Sequence, residues 1–89
     1  MELKVCAVRD NVVEAFMQPI FVQTTAQAER MFRDQLQDDQ SPMSRHPEDY
    51  TLMYLANYDD NAGMFTPLEP TRLLNGLEVR GASNGSNGT

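Results

Sequence analysis

The stretch His46–Glu69, HPEDYTLMYLANYDDNAGMFTPLE, decides the fold, because it reads as a strand, a tight turn and a returning strand. Asp59–Gly63 holds residue types that bond their own backbone or adopt positive φ, as a hairpin loop requires. In the first strand, predicted over Asp49–Tyr58, alternate side chains share a face. One face carries Tyr50, Leu52, Tyr54, Ala56 and Tyr58. The other face is also partly apolar, which predicts a central strand covered on both sides.

The segments before this stretch predict strands and one helix. Glu2–Arg9 alternates in character and predicts a first strand, and Val12–Met17 predicts a second that pairs with it across a turn at residues 10–11. Extended chain resumes at residues 20–22, after the interruption at Pro19.

The predicted helix spans Thr24–Gln37. Thr24 and Gln27 have the spacing of a capping box, and Glu29 and Arg33 form a favourable i,i+4 pair. The face expected to lie on the sheet carries Ala28, Met31, Phe32, Gln35 and Leu36.

The segments after the helix predict a polar loop and a broken strand. Residues 38–47 show no regular spacing of apolar residues, which predicts a loop. Met64–Thr66 begins the returning strand, and Pro67 and Pro70 should prevent its regular continuation. A short last strand is predicted over Leu77–Arg80. The whole predicts one α+β domain at residues 1–80, a small antiparallel sheet of four to five strands with one helix on one face, and a flexible polar tail at residues 81–89.

One helix covers only one face of such a sheet, so the second face needs a partner. An exposed apolar sheet face usually marks an interaction surface. We therefore expect a homodimer or larger oligomer that packs sheet to sheet or edge to edge.

Charge is concentrated in one part of the chain. The net charge is −6, and between Asp34 and Asp60 seven acids face a single base, Arg45. This distribution disfavours unselective phosphate binding, since affinity for nucleic acid comes largely from Lys and Arg. One cysteine excludes an internal disulfide, and no signal-peptide pattern or long apolar run is present, so we expect a role inside a cell.

The sequence predicts no catalytic, metal or cofactor site. His46 is the sole histidine and reads as a loop residue, although any Ser/His or Cys/His dyad would have to use it. The Asp59–Gly63 segment lacks the glycine and glutamate positions of a calcium loop. A small hydrolase or metal enzyme is therefore the least favoured hypothesis, and we expect no enzyme.

A candidate nucleic-acid site follows from the aromatic residues of the central strand. Three tyrosines follow one another at intervals of four residues along this strand. They could stack single-stranded bases if cations lie nearby. The alternative is that these rings pack in the sheet or in a dimer seam. The candidate residues are Tyr50, Tyr54 and Tyr58 with Lys4, Arg9, Arg72 and Arg80.

Four segments resemble one known family, the small nonstructural protein of gokushoviruses, which are single-stranded-DNA phages of the microvirus group. These segments are FMQPIF at 16–21, AERMFRD at 28–34, HPEDY at 46–50 and YDDNAGMF at 58–65. The resemblance spans residues 3 to 77 and excludes the tail after Gly81.

The resemblance implies an accessory protein that acts in genome replication or packaging by binding single-stranded DNA or a DNA–protein complex. It supplies no catalytic motif. The acidic segment favours an alternative, a protein-binding regulator that contacts the replication initiator, a host replication factor or a scaffold without touching DNA.

Overall fold

The computed structural model of this protein describes residues 1–79. In chain order the elements are β1 (Glu2–Asp10), β2 (Ala15–Phe16), β3 (Ile20–Val22), α1 (Thr25–Gln37), α2 (Pro42–Arg45), a 3-10 helix (Pro47–Asp49), β4 (Tyr50–Asp59) and β5 (Met64–Asn75). Residues 76–79 form a final helical turn. The predicted α+β class, with an antiparallel sheet and one main helix, is confirmed. Arg80 and the predicted tail lie outside the described residues.

The sheet is antiparallel throughout and has β1 and β4 at its centre. β4 pairs with β1 from Asp59 to Tyr50 and with β5 on its other side. β2 and β3 pair with opposite ends of the remaining edge of β1. The central position predicted for the tyrosine-bearing strand is therefore confirmed, and β5 forms one outer edge of the sheet.

The core lies between α1 and one face of the sheet. The capping box forms as predicted, with the Gln27 amide donating to Thr24 Oγ1 at 3.3 Å and the Thr24 amide donating to Gln27 Oε1 at 3.2 Å. Met31, predicted on the packed face, is 47% exposed. The buried core side chains are those of Cys6, Val22, Ala28, Phe32, Leu36, Met43, Leu52 and Val79.

The predicted second strand is wrong over most of its length. Only Ala15 and Phe16 pair with β1, and the preceding residues form a turn. Asp10 Oδ1 accepts hydrogen bonds from the amides of Val12 and Val13, at 3.0 and 3.4 Å. This turn bends the backbone away from the sheet and leaves both valines exposed, although their side chains are typical of strands.

The predicted polar loop at 38–47 contains α2 and part of the core. Ser41 caps α2 by accepting a hydrogen bond from the Met43 amide at 3.3 Å, and Pro42 occupies the first turn, where its missing N–H is harmless. Met43 is 3% exposed and packs in the core. A segment without apolar periodicity thus contributes a buried side chain through one helical turn.

The prolines do not end the returning strand. β5 continues to Asn75, with register shifts opposite the Leu52–Met53 and Tyr54–Ala56 steps of β4. β5 is an edge strand, and prolines are tolerated at edges and bulges because one side of the ladder is unpaired.

The strand predicted at residues 77–80 is helical over its described part, 77–79, within a turn that spans 76–79. Asn75 Oδ1 accepts from the Leu77 amide at 2.9 Å, and Glu78 Oε1 accepts from the Asn75 amide at 2.9 Å. This pair of bonds is a capping box, which favours a helical start.

Candidate functional site

A bulge at Leu55 decides which side chains of β4 reach each face of the sheet. Tyr54 pairs with Cys6, and Ala56 pairs with the adjacent Val5, so Leu55 is an extra residue without a partner in β1. The alternation of side chains reverses there. Tyr54 lies on the α1 side with Cys6, whereas Tyr58 lies on the opposite face. The prediction that Tyr50, Tyr54 and Tyr58 share one face is wrong.

We call the sheet surface opposite α1 the open face. Directly paired residues of neighbouring strands project to the same side, so the register assigns its members. They are Leu3, Val5, Ala7, Arg9, Phe16, Phe21, Thr51, Met53, Ala56, Tyr58, Phe65, Pro67, Arg72 and Asn75.

Three rings form an aromatic cluster at one end of the open face: Phe21, Tyr58 and Phe65. Ring centroids lie 5.5 Å apart for Phe21 and Tyr58, 6.0 Å for Phe21 and Phe65, and 4.6 Å for Tyr58 and Phe65. Phe21 is 46% exposed and Phe65 56%. The cluster therefore presents ring surface to solvent and is available to a ligand with a flat apolar face.

The Asp59–Gly63 turn forms the hairpin that the sequence predicted, and this hairpin places two of the three rings side by side. Gly63 has φ 68 and its amide donates to the Asp59 carbonyl at 2.8 Å. Asp59 Oδ1 accepts from the Asn61 amide at 2.9 Å. Closing the hairpin in this way pairs Asp59 with Met64 and hence Tyr58 with Phe65.

Two arginines occupy the other end of the open face. Arg9 pairs with Thr51 across β1 and β4, and Arg72 pairs with Met53 across β4 and β5. Arg9 Nη1 donates to Asn11 Oδ1 at 2.8 Å, which holds the guanidinium in place without neutralising it. At about 3.3 Å per residue, the six steps along β1 from Leu3 to Arg9 separate the two ends of the face by about 20 Å.

The open face is poor in negative charge although the chain is acidic. None of the described strand residues that the register assigns to this face carries a carboxylate. Glu78, in the turn after β5, reaches Arg72. Other acids lie at the rim, such as Asp60, whose Oδ1 is 2.7 Å from the Met1 amine. The register-paired residues of this surface therefore include two cations and no acid, although the chain as a whole has a net charge of −6.

The structure separates the predicted site residues into three groups. Lys4 and Tyr54 meet on the α1 side, with Lys4 Nζ 5.8 Å from the ring centroid, and Tyr50 packs against the core. Tyr58, Arg9 and Arg72 lie on the open face. Arg80 lies outside the described residues.

Sequence reasoning missed the phenylalanines of the open face, which are Phe16, Phe21 and Phe65. The available signal was the hairpin turn, since closing it at Asp59 and Met64 places Phe65 opposite Tyr58. Phe21 had no comparable local signal, because its contact depends on the pairing of β3 with β1.

Two other features of residues 1–79 bring potential ligand groups or an apolar cavity together. His46, Glu48 and Asp49 bring ligand atoms within 4.8 Å of one another, but the group is largely exposed and needs no ion to be stable. An apolar cavity of about 340 Å³ lies beside α1 and is lined by residues including Met17, Ile20 and Phe32. Neither feature combines cations with aromatic surface as the open face does.

Comparison with known proteins assigns the family. A family model described as Phage ORF5 protein matches residues 3–79. The chain belongs to this phage protein family. The resemblance to a phage protein is thereby confirmed, and the narrower assignment to gokushoviruses stays a prediction. No curated protein and no solved structure matches the chain significantly. Within residues 1–79, no helix of this family member has the length and apolar character needed to span a membrane.

Proposed function

We propose that this phage ORF5 protein binds single-stranded DNA on its open face during genome replication and packaging in the cytoplasm of the infected cell. The proposal is one of binding rather than catalysis. The observation that carries it is the joint presence, on one sheet face, of an aromatic cluster with exposed rings and two arginines within a chain of net charge −6.

Each end of the open face suits one part of a single strand. Bases stack on aromatic rings, at a contribution of about 1–3 kcal/mol per base, whatever their sequence. Phosphates are bound by arginine, whose planar guanidinium donates several hydrogen bonds. The cluster of Phe21, Tyr58 and Phe65 would take bases, and Arg9 and Arg72 would take phosphates.

Fluorescence anisotropy with a labelled oligothymidine of about 12 nucleotides, within the range of single-strand site sizes, tests the proposal. Phe65→Leu keeps an apolar side chain but removes the ring, and should weaken binding by about 1–3 kcal/mol. Arg9→Gln should reduce the slope of log K against log salt by about 0.7, the value for one phosphate of a single strand.

Arg45→Gln is the matched control, since it removes the same charge from α2, on the other side of the sheet. It should leave the affinity nearly unchanged. Absence of binding by the wild type at low salt, or equal losses for Arg9→Gln and Arg45→Gln, would overturn the proposal.

The second candidate is a regulator that binds a protein and not DNA. The acidic segment between Asp34 and Asp60 favours it, because seven acids against one base would attract a basic partner. Aromatic side chains and arginine are also enriched in protein interfaces. Pull-down from infected cells with nuclease treatment distinguishes the two, since a direct protein partner stays bound after the DNA is digested.

A further inference from the structure

The two arginines of the open face are joined by a chain of polar side chains. Arg9 donates to Asn11, and the Asn11 side-chain amide donates to Thr51 Oγ1 at 3.1 Å. The Asn75 side-chain amide donates to the same oxygen at 3.0 Å. The backbone amide of Asn75 then donates to Glu78, which forms an ion pair with Arg72.

The two arginines differ in what holds them. The guanidinium of Arg9 donates to a neutral amide oxygen, and this contact leaves the positive charge of Arg9 uncompensated. The partner of Arg72 is the carboxylate of Glu78. The side chains of Arg72 and Glu78 are 55% and 49% exposed, so an incoming phosphate has access to the guanidinium.

Glu78 is fixed at this position by the capping box of the last helical turn. Its Oε1 accepts from the Asn75 amide while Asn75 Oδ1 accepts from the Leu77 amide. The carboxylate therefore stays beside Arg72 for a reason that does not depend on the ion pair. A glutamine would keep the same cap, as Gln27 does for α1.

We propose that Glu78 is a built-in competitor of phosphate at Arg72, which lowers the affinity of the open face for single-stranded DNA. This inference rests on the proposed function. In the free protein Arg72 is paired with Glu78, and a phosphate must replace the carboxylate before it gains the full contact. Exposed ion pairs contribute little to stability, so the exchange is easy and the binding stays reversible.

Glu78→Gln tests the inference, because it removes the charge and keeps the cap. Affinity for the labelled oligothymidine at low salt should rise about two- to fivefold, the range expected for an exposed ion pair. The slope of log K against log salt should become steeper by about 0.7, since Arg72 then releases a counterion on binding. An unchanged melting temperature would verify that the fold is intact.

Two comparisons separate this effect from a general change in charge. Glu29→Gln removes one acid from α1, on the other side of the sheet, and should alter neither affinity nor slope. In an Arg72→Gln background most of the gain from Glu78→Gln should disappear, since only long-range repulsion by the carboxylate remains. Equal gains in the wild-type and Arg72→Gln backgrounds would overturn the role of Glu78.

The outcomes distinguish the two proposals. If the wild type binds and Glu78→Gln binds with the same affinity and slope, only the competitor role is wrong. If the wild type binds and Glu78→Gln binds more tightly with a steeper slope, the competitor role is supported. If neither protein binds at the lowest salt, both proposals are overturned.

Discussion

Leu55 is a single extra residue in β4, and it determines the chemistry of both faces of the sheet. Because it interrupts the alternation, Tyr54 is placed over the core side and Tyr58 joins the aromatic cluster. The hydroxyl of Tyr54 donates to Asn57 on the same side. Two tyrosines four residues apart thus have different surroundings and should have different roles.

We predict opposite outcomes for these two tyrosines in DNA binding. Tyr58→Leu should weaken binding of the labelled oligothymidine by about 1–3 kcal/mol, because a stacking ring is lost. Tyr54→Phe should leave the affinity unchanged and lower the free energy of unfolding by about 0.5–1.5 kcal/mol, the usual contribution of one hydrogen bond. A larger loss of affinity for Tyr54→Phe than for Tyr58→Leu would contradict the face assignment.

Leu52 should be among the most costly residues to truncate. It is 1% exposed and lies in the core beneath α1. Leu52→Ala should lower the free energy of unfolding by about 2–5 kcal/mol, through lost apolar burial and a residual cavity, as measured by urea denaturation. Leu77→Ala removes the same atoms from a side chain that is 58% exposed, and a comparable loss for this control would contradict the assignment of the core.

Cys6 should behave as an inert core thiol. It is fully buried, and burial raises the pKa of the thiol above its usual value of about 9.0. Because the thiolate is the reactive form, a thiol reagent at neutral pH should label Cys6 only through unfolding, at a rate that rises with urea. In the unfolded chain the thiol ionises first as pH rises, so stability should fall above about pH 9. Rapid labelling of the native protein would show that the thiol is accessible.

At the scale of elements, sequence reasoning succeeded where the signal is local. The capping box at Thr24 and Gln27 starts α1, and the Asp59–Gly63 turn closes the hairpin, because both depend on residues within five positions. Sequence reasoning failed where the structure depends on strand pairing or packing between distant parts of the chain. Pro67 is accommodated only because β5 lies at an edge, and Met43 becomes a core residue only because α1 and the sheet leave space for it.

Gly76 joins β5 to the last helical turn and should not tolerate a side chain. A Cβ at this position would lie 2.1 Å from the carbonyl oxygen of Pro47, a backbone atom that has little freedom to move. We expect Gly76→Ala to lower the free energy of unfolding by about 1–3 kcal/mol, the usual range for overpacking. Thermal and urea denaturation would measure this loss.

Thr66→Ala provides the comparison for this substitution, since Thr66 is exposed on β5 and should change stability by less than about 0.5 kcal/mol. If Gly76→Ala were as stable as Thr66→Ala, the close approach of the 3-10 helix to the last turn would be wrong.

At the scale of the whole molecule, the sequence indicated a site on the sheet but only some of its members, namely Tyr58, Arg9 and Arg72. The strand pattern and the single helix predicted a second sheet face in need of cover. Phe21 and Phe65 are exposed on that face, whereas Val5 and Ala7 at its middle are buried. Which rings share that face depends on the Leu55 bulge and on the pairing of β3 with β1, both long-range features. The aggregate charge was equally uninformative, because the acids lie mainly away from the register-paired residues of the open face.

The open face is also the surface on which we expect self-association. Pairing along the free edge of β5 is hindered by Pro67 and Pro70, which cannot donate ladder hydrogen bonds. The open face presents exposed rings that a second copy would cover sheet to sheet. We therefore predict a concentration-dependent homodimer in the absence of DNA, detected by sedimentation velocity over a micromolar concentration series.

DNA and the second copy would then compete for one face, which makes the prediction specific. Added oligothymidine should shift the protein from dimer to DNA-bound monomer, and Phe65→Ser should weaken dimerisation and DNA binding together. Met31→Ser, which removes an exposed apolar side chain from α1, should affect neither. A dimer that persists in Phe65→Ser, or that binds DNA without dissociating, would place the self-association on a different surface and leave the open face to DNA alone.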